Sequence, residues 1–144
     1  MYKKILHPTD LHEQHYALCE HVLALAKQFN ASIELLHIIE EPASMQLAQG
    51  LGFAEIPQPH TENARAVLAT LGEALQIPMT QQHVIVGSIK HAIIKYAQQL
   101  NCDLIIIGNH HASFLPNYFS SIVGSLVEHA PCDILTLKTT AVSI

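Results

Sequence analysis

The sequence predicts a single α/β domain built on a five-stranded parallel sheet with helices on both faces. Three observations carry that reading. Five short apolar runs, rich in β-branched residues, alternate with segments of helical period, the pattern of a sheet covered on both sides. The 144 residues suffice for one domain with a sizeable core and are too few for two comfortable ones. Apolar residues make up 49% of the chain and charged residues only 13%, which favours extensive burial, an oligomer interface included.

Residues 3–8 read as the first strand, with Thr9-Asp10 at its carboxyl end. Residues 13–29, EQHYALCEHVLALAKQF, place Tyr16, Cys19, Val22, Leu23 and Ala26 at steps of three and four, one face of a helix. Asn30 is its expected end. ASIELLHII, residues 31–39, is the second strand. Residues 40–59 hold three prolines and two glycines and read as a variable loop, with a helical turn around Met45–Ala48. Its Leu47, Leu51 and Phe53 either cover a site, meet a partner or fold back onto the core. Thr61 is the expected cap of the next helix, ENARAVLATLGEALQ, which Ile77-Pro78 ends. Gly72 is an unfavourable residue within it.

TQQHVIV, 80–86, is the third strand, and Gly87-Ser88 a turn in which Ser88 caps a helix over about 89–100. Ile89, Ala92, Ile93, Tyr96 and Ala97 form its apolar face. CDLIIIG, 102–108, is the fourth strand. NHHASFLPNYF reads as a loop, and SSIVGSLVEHA as a last helix capped by Ser120 or Ser121 and stopped by Pro131. CDILTLK, 132–138, is the fifth strand. In such sheets ligands sit beyond the carboxyl ends of strands at a topological switch point. If strands one and four are neighbours, Pro8-Thr9-Asp10 and Gly108 onward line one crevice.

Several function classes are excluded. The formal net charge is −5 with histidines neutral, and no run of Lys or Arg is present, so a broad nucleic-acid-binding face is not expected. The longest apolar stretches fall far short of a membrane span. MYKKILHPTDL has a basic pair, but its histidine, proline and aspartate break any signal-peptide apolar region. The expected location is cytoplasmic, with no membrane partner. Cys19, Cys102 and Cys132 are widely spaced without a CxxC and read as reduced, partly buried structural thiols. There is no GxSxG elbow and no GxxxxGK[ST] loop, so no catalytic constellation is expected. Ser88, Ser120 and Ser121 read as helix caps.

The opening YKKILHPTDL, the strand ASIELLHII, the segment VGSIKHAIIKYAQQLNCDLIIIGNHH and the ending SSIVGSLVEHAPCDILTLK resemble the universal stress protein family, of the UspA type. The resemblance covers essentially the whole chain in order. It implies a Rossmann-like, adenine-nucleotide alpha hydrolase-like domain. It also implies a homodimer paired through the last strand, and a role under stress or growth arrest. One group of the family binds ATP through Gly-x-x-Gly, nine residues, then Gly-Ser or Gly-Thr. The other, similar to UspA, lacks that pattern.

Glycines serve a phosphate because backbone N–H groups must come close, and a Cβ obstructs them. Here Gly108 keeps the first glycine, His111 stands at the second, and Ser120-Ser121 stand where the Gly-Ser pair belongs, one residue short in spacing. The alternative pair Gly124-Ser125 leaves too short a helix before Pro131. The departures point to the UspA-like group. The resemblance places Pro8-Thr9-Asp10 near adenine and ribose in nucleotide-binding relatives, with the backbone of Ile38 beside the base. Asp10 equally suits the cap of the following helix. Pro8, Thr9, Asp10, Ile38, Gly108, His111, Ser120 and Ser121 are thus the candidate nucleotide crevice.

Eleven histidines are present. His12 and His15, His110-His111 and His7 would gather into a cluster if the two strand ends approached. No HExxH and no matching Cys or carboxylate spacing accompanies them, so no metal site is expected. The leading expectation is a non-enzymatic stress-response homodimer for which no cofactor is required. The alternative is a nucleotide sensor or weak ATPase that binds ATP in the crevice.

Overall fold

The computed structural model describes residues 1–11, 15–40, 50–52, 59–109 and 116–138. The order is β1 (Lys4–Pro8), α1 (His15–Phe29), β2 (Ser32–Ile39), α2 (Pro59–Leu75), a 3₁₀ turn (Met79–Gln81), β3 (Gln82–Val86), α3 (Ile89–Gln99), β4 (Leu104–Asn109), α4 (Pro116–His129) and β5 (Asp133–Lys138). All strands are parallel, in the order β3-β2-β1-β4-β5. The chain steps outward from β1 to β3, then crosses back to place β4 on the free side of β1. Ile5 pairs with Leu104 and Leu6 with Ile105. The switch point therefore lies between β1 and β4, where the sequence anticipates it.

Strand residues alternate between two cores because successive side chains point to opposite faces. Ile5, Leu35, Leu104 and Ile106 pack with Cys19, Val22 and Ala26 of α1 and with Leu68 and Leu75 of α2. Leu6, Leu36, Ile105 and Ile107 pack with Ile93 and Ala97 of α3 and Leu126 of α4. Each fully buried Leu or Ile contributes about 1.5–3 kcal/mol relative to exposure. The covered centre explains why β4 reads LIII without alternation.

Strand boundaries agree with the sequence reading within two residues. The helix starts differ. α2 begins at Pro59, so Thr61 lies within the helix and is not its cap. Proline suits a first helical turn, whose N–H groups lack intrahelical partners anyway. α4 begins at Pro116, so Ser120-Ser121 are its fifth and sixth residues and do not cap it. Ser88 does occupy the N-cap position of α3, but without a side-chain capping bond. Tyr16 is 41% exposed, and His15 and Leu18 take its expected place on the buried face of α1. The turn around Met45–Ala48, Leu47 and Phe53 lie outside the described residues, and Leu51 is 66% exposed.

Three helices end alike. Asn30, Gln76 and Asn101 take φ of 56°, 58° and 55°. The N–H of the following residue returns to a carbonyl five positions back: Ala31 to Ala26, Ile77 to Gly72, Cys102 to Ala97. This left-handed cap turns each helix straight into the next strand or strand approach.

Candidate functional site

The carboxyl end of β1 meets the start of α1 over the switch point. His7, on the α1 side of β1, is fully buried. Its Nδ1 donates to the Ile106 carbonyl of β4 at 2.8 Å. His15 opens α1 and is 3% exposed, with its Nδ1 3.1 Å from Asp10 Oδ1. The two Nε2 atoms lie 3.3 Å apart. The ring centroids are 5.2 Å apart, with the ring planes 22° from parallel. Cys19, one helical turn beyond His15, is 2% exposed. The ligand atoms of His7, His15 and Cys19 all fall within 4.8 Å of one another.

The proton positions follow from the partners. A carbonyl oxygen only accepts, so His7 carries a proton on Nδ1. The Asp10 carboxylate accepts likewise, so His15 carries one on Nδ1. The two Nε2 atoms stand within hydrogen-bond distance of each other, and which of them carries a proton depends on the protonation of the two rings. Burial pushes the Cys19 thiol up to about 12, opposed by a hydrogen bond with Thr9 and aided by the charge of Asp10.

Backbone geometry braces this cluster. Thr9 donates its N–H to Leu36 at 2.8 Å, and its carbonyl accepts from His37 Nδ1 at 2.8 Å. Its hydroxyl accepts the N–H of Leu11 at 3.3 Å. Leu11 takes φ 64°, uncommon for a bulky residue, and that bond helps hold the sharp turn. Asp10 thereby comes back onto His15, while itself 45% exposed.

The nucleotide candidates fare differently. Pro8 ends β1 opposite Leu36 of β2, and Thr9 and Asp10 follow it at the strand's carboxyl end. Ile38 sits opposite Ile85 on β2, with its side chain in the α3–α4 core. Gly108 faces α1, and a Cβ there would collide with Leu18 Cδ2. Its glycine is explained by the close approach of α1. Ser120-Ser121 lie beyond the first four residues of α4, so their backbone N–H groups fall inside the helical ladder and are not at a helix start. His111 lies outside the described residues, as do His12 and His110.

The sequence reading left Cys19 out of any cluster. The available signal was His15 and Cys19 at i and i+4 on one helix face, with His7 at the end of the preceding strand. A second polar pair also went unread: Glu34 of β2, 5% exposed, accepts from His83 Nε2 of β3 at 2.7 Å.

The sequence profile of the universal stress protein family matches residues 1–138. Universal stress protein A homolog 1 of Coxiella burnetii is 29% identical over 141 residues, covering 94% of this chain and 96% of its own. The solved structure of UspA from Lactobacillus plantarum superposes with a TM-score of 0.68 at 22% identity, covering 94% and 97% of the two chains. A universal stress protein solved in complex with cAMP superposes with a TM-score of 0.67 at 15% identity, covering 96% and 98%. The match to the profile, in an unbroken run from the first strand through the last, shows that this chain belongs to the universal stress protein family.

Proposed function

We propose that the protein is a non-enzymatic, cytoplasmic stress-response factor that acts as a homodimer joined through β5 and has no obligatory need for ATP. The carrying observation is the state of β5. It is an edge of the sheet, and its Ile134, Leu135 and Leu137 remain only half-buried on both faces. An edge strand with half-buried apolar residues is a natural association surface, and pairing with a second copy would satisfy it. Cys19, Cys102 and Cys132 are free thiols, which suits a reducing compartment. No described helix is long and apolar enough to cross a membrane. The absence of an ATP requirement is supported by the packing of Leu18 against Gly108 and by the start of α4 ahead of Ser120.

Thr136 is exposed near the middle of β5. Light scattering at micromolar concentration is expected to give twice the monomer mass for the wild type. Thr136→Lys is expected to weaken the dimer at least about tenfold, because like charges would approach across the paired edges. A monomeric wild type overturns the reading.

A second reading keeps a nucleotide in the β1–β4 crevice. The switch point beside Pro8-Thr9-Asp10 favours it, as does the cAMP complex of a protein with the same fold. Isothermal titration of tag-free protein with ATP and magnesium, beside AMP, decides it. Saturable micromolar heat would put the nucleotide sensor first. No heat from a folded sample would leave the ATP-independent reading standing.

A further inference from the structure

We propose that His7, His15 and Cys19 form a binding site for one zinc(II) ion, held by the two Nε2 atoms and the Cys19 thiolate beneath the β1–β4 switch point. The histidine spacing fits. Zn–N bonds of about 2.0–2.1 Å at a tetrahedral angle separate two nitrogens by about 3.3–3.4 Å. The observed separation is 3.3 Å. Cys19 Sγ and one ring nitrogen of each histidine all lie within 4.8 Å of one another, close to the N···S spacing of roughly 3.6 Å that a Zn–S bond of about 2.3 Å requires.

The outer contacts fit as well. Histidine ligands characteristically donate their other ring N–H to a carbonyl or a carboxylate. His7 does so to the Ile106 carbonyl, and His15 meets the Asp10 carboxylate. Both rings thereby keep Nε2 as the metal-facing atom. The charges also balance: Zn²⁺ against the buried thiolate and the half-exposed Asp10 carboxylate beside His15. Binding exchanges the Cys19 thiol proton for the ion and needs no redox partner. Asp10, partly exposed beside the buried His15, marks the route in from solvent. Imidazole nitrogens and a thiolate are both ordinary zinc ligands, and three of them leave the fourth position to water or an exchangeable ligand.

The test uses full-length, tag-free protein stripped with chelator, then dialysed against zinc or cobalt(II). The expected result is one zinc per chain. Cobalt should give tetrahedral visible bands and a sulfur-to-cobalt charge-transfer band. Cys19→Ser should abolish the charge-transfer band, while Cys132→Ser keeps it. Asp10→Asn should weaken zinc about 10–100-fold through His15, with the ligands themselves intact. Circular dichroism of each variant separates loss of metal from loss of fold. If Cys19→Ser fails to fold, protection of the wild-type Cys19 thiol from alkylation in mild urea, gained only with zinc, is the substitute reading. Zinc retained well below one equivalent, or a cobalt spectrum unchanged by Cys19→Ser, would overturn the site. The two imidazoles would then be held together by a shared proton.

Discussion

At the scale of single residues, two side chains carry more than their type suggests. Gly108 stands where a phosphate loop would begin, yet its missing Cβ is filled by Leu18. Gly108→Ala is expected to destabilise the fold by about 1–3 kcal/mol through overpacking. Leu18→Ala alone should also destabilise, by leaving a cavity. The double variant should be more stable than the sum of the two losses predicts, because each change relieves the other. Urea denaturation of all four proteins measures this coupling. Additive losses would show that Leu18 is not what requires glycine. Glu34 gives the second case. Its buried carboxylate is held by His83 from the neighbouring strand. His83→Ala strands that charge and should cost about 2–3 kcal/mol, whereas His83→Gln, which keeps a donor, should recover part of it. Neither contact was legible in the sequence. Each joins residues far apart in the chain, and local periodicity says nothing about which elements lie against one another.

At the scale of elements, much of the fold is legible in the sequence, and for a physical reason. Buried parallel strands appear as short apolar runs carrying β-branched residues; DLIIIG shows this without a break, and ASIELLHII shows it despite Glu34 and His37. The face of α3 reads correctly because Ala92, Ile93 and Ala97 recur at helical spacing and are all buried. The starts of α2 and α4 misled because Pro59 and Pro116 look like breakers and act as first-turn residues. The same limit hid the histidine–cysteine cluster: the i, i+4 pair lies within α1, but His7 joins it only because α1 folds back over β1. Helix ends offer a sharper test. Asn30 and Asn101 tolerate the left-handed conformation, while Gln76 has no such preference. Gln76→Gly should therefore stabilise by about 0.5–1 kcal/mol, net of the greater freedom glycine has when unfolded. That corresponds to a melting temperature about 2–3 °C higher. The same substitution at an interior position of α2, such as exposed Glu73, should do the opposite.

At the scale of the whole molecule, stability depends on the attachment of β1, which is the central strand. Asp103, just ahead of β4, accepts the N–H of Lys3 at 2.9 Å and of Lys4 at 3.0 Å. The Asp103 N–H in turn donates to the Lys4 carbonyl at 3.0 Å. Partial burial tends to raise the Asp103 carboxyl, but the backbone N–H bonds from Lys4 and Lys3 outweigh it, and the group sits below the ordinary carboxylate range. A carboxyl lowered on folding stabilises the charged, folded form. Its contribution is complete above the unfolded value of about 3.9 and is lost as pH falls through the lower folded value. Because the site is largely solvated, screening keeps the effect small, and Asp103→Asn should cost about 1 kcal/mol at neutral pH. The difference between the two proteins should be constant from pH 7 to about 5 and should shrink below about 4, as the wild type protonates and loses its advantage. Melting temperatures of both proteins across that range measure it. A gap that stays constant down to pH 2 would mean that shape, and not charge, is what Asp103 contributes to holding the central strand.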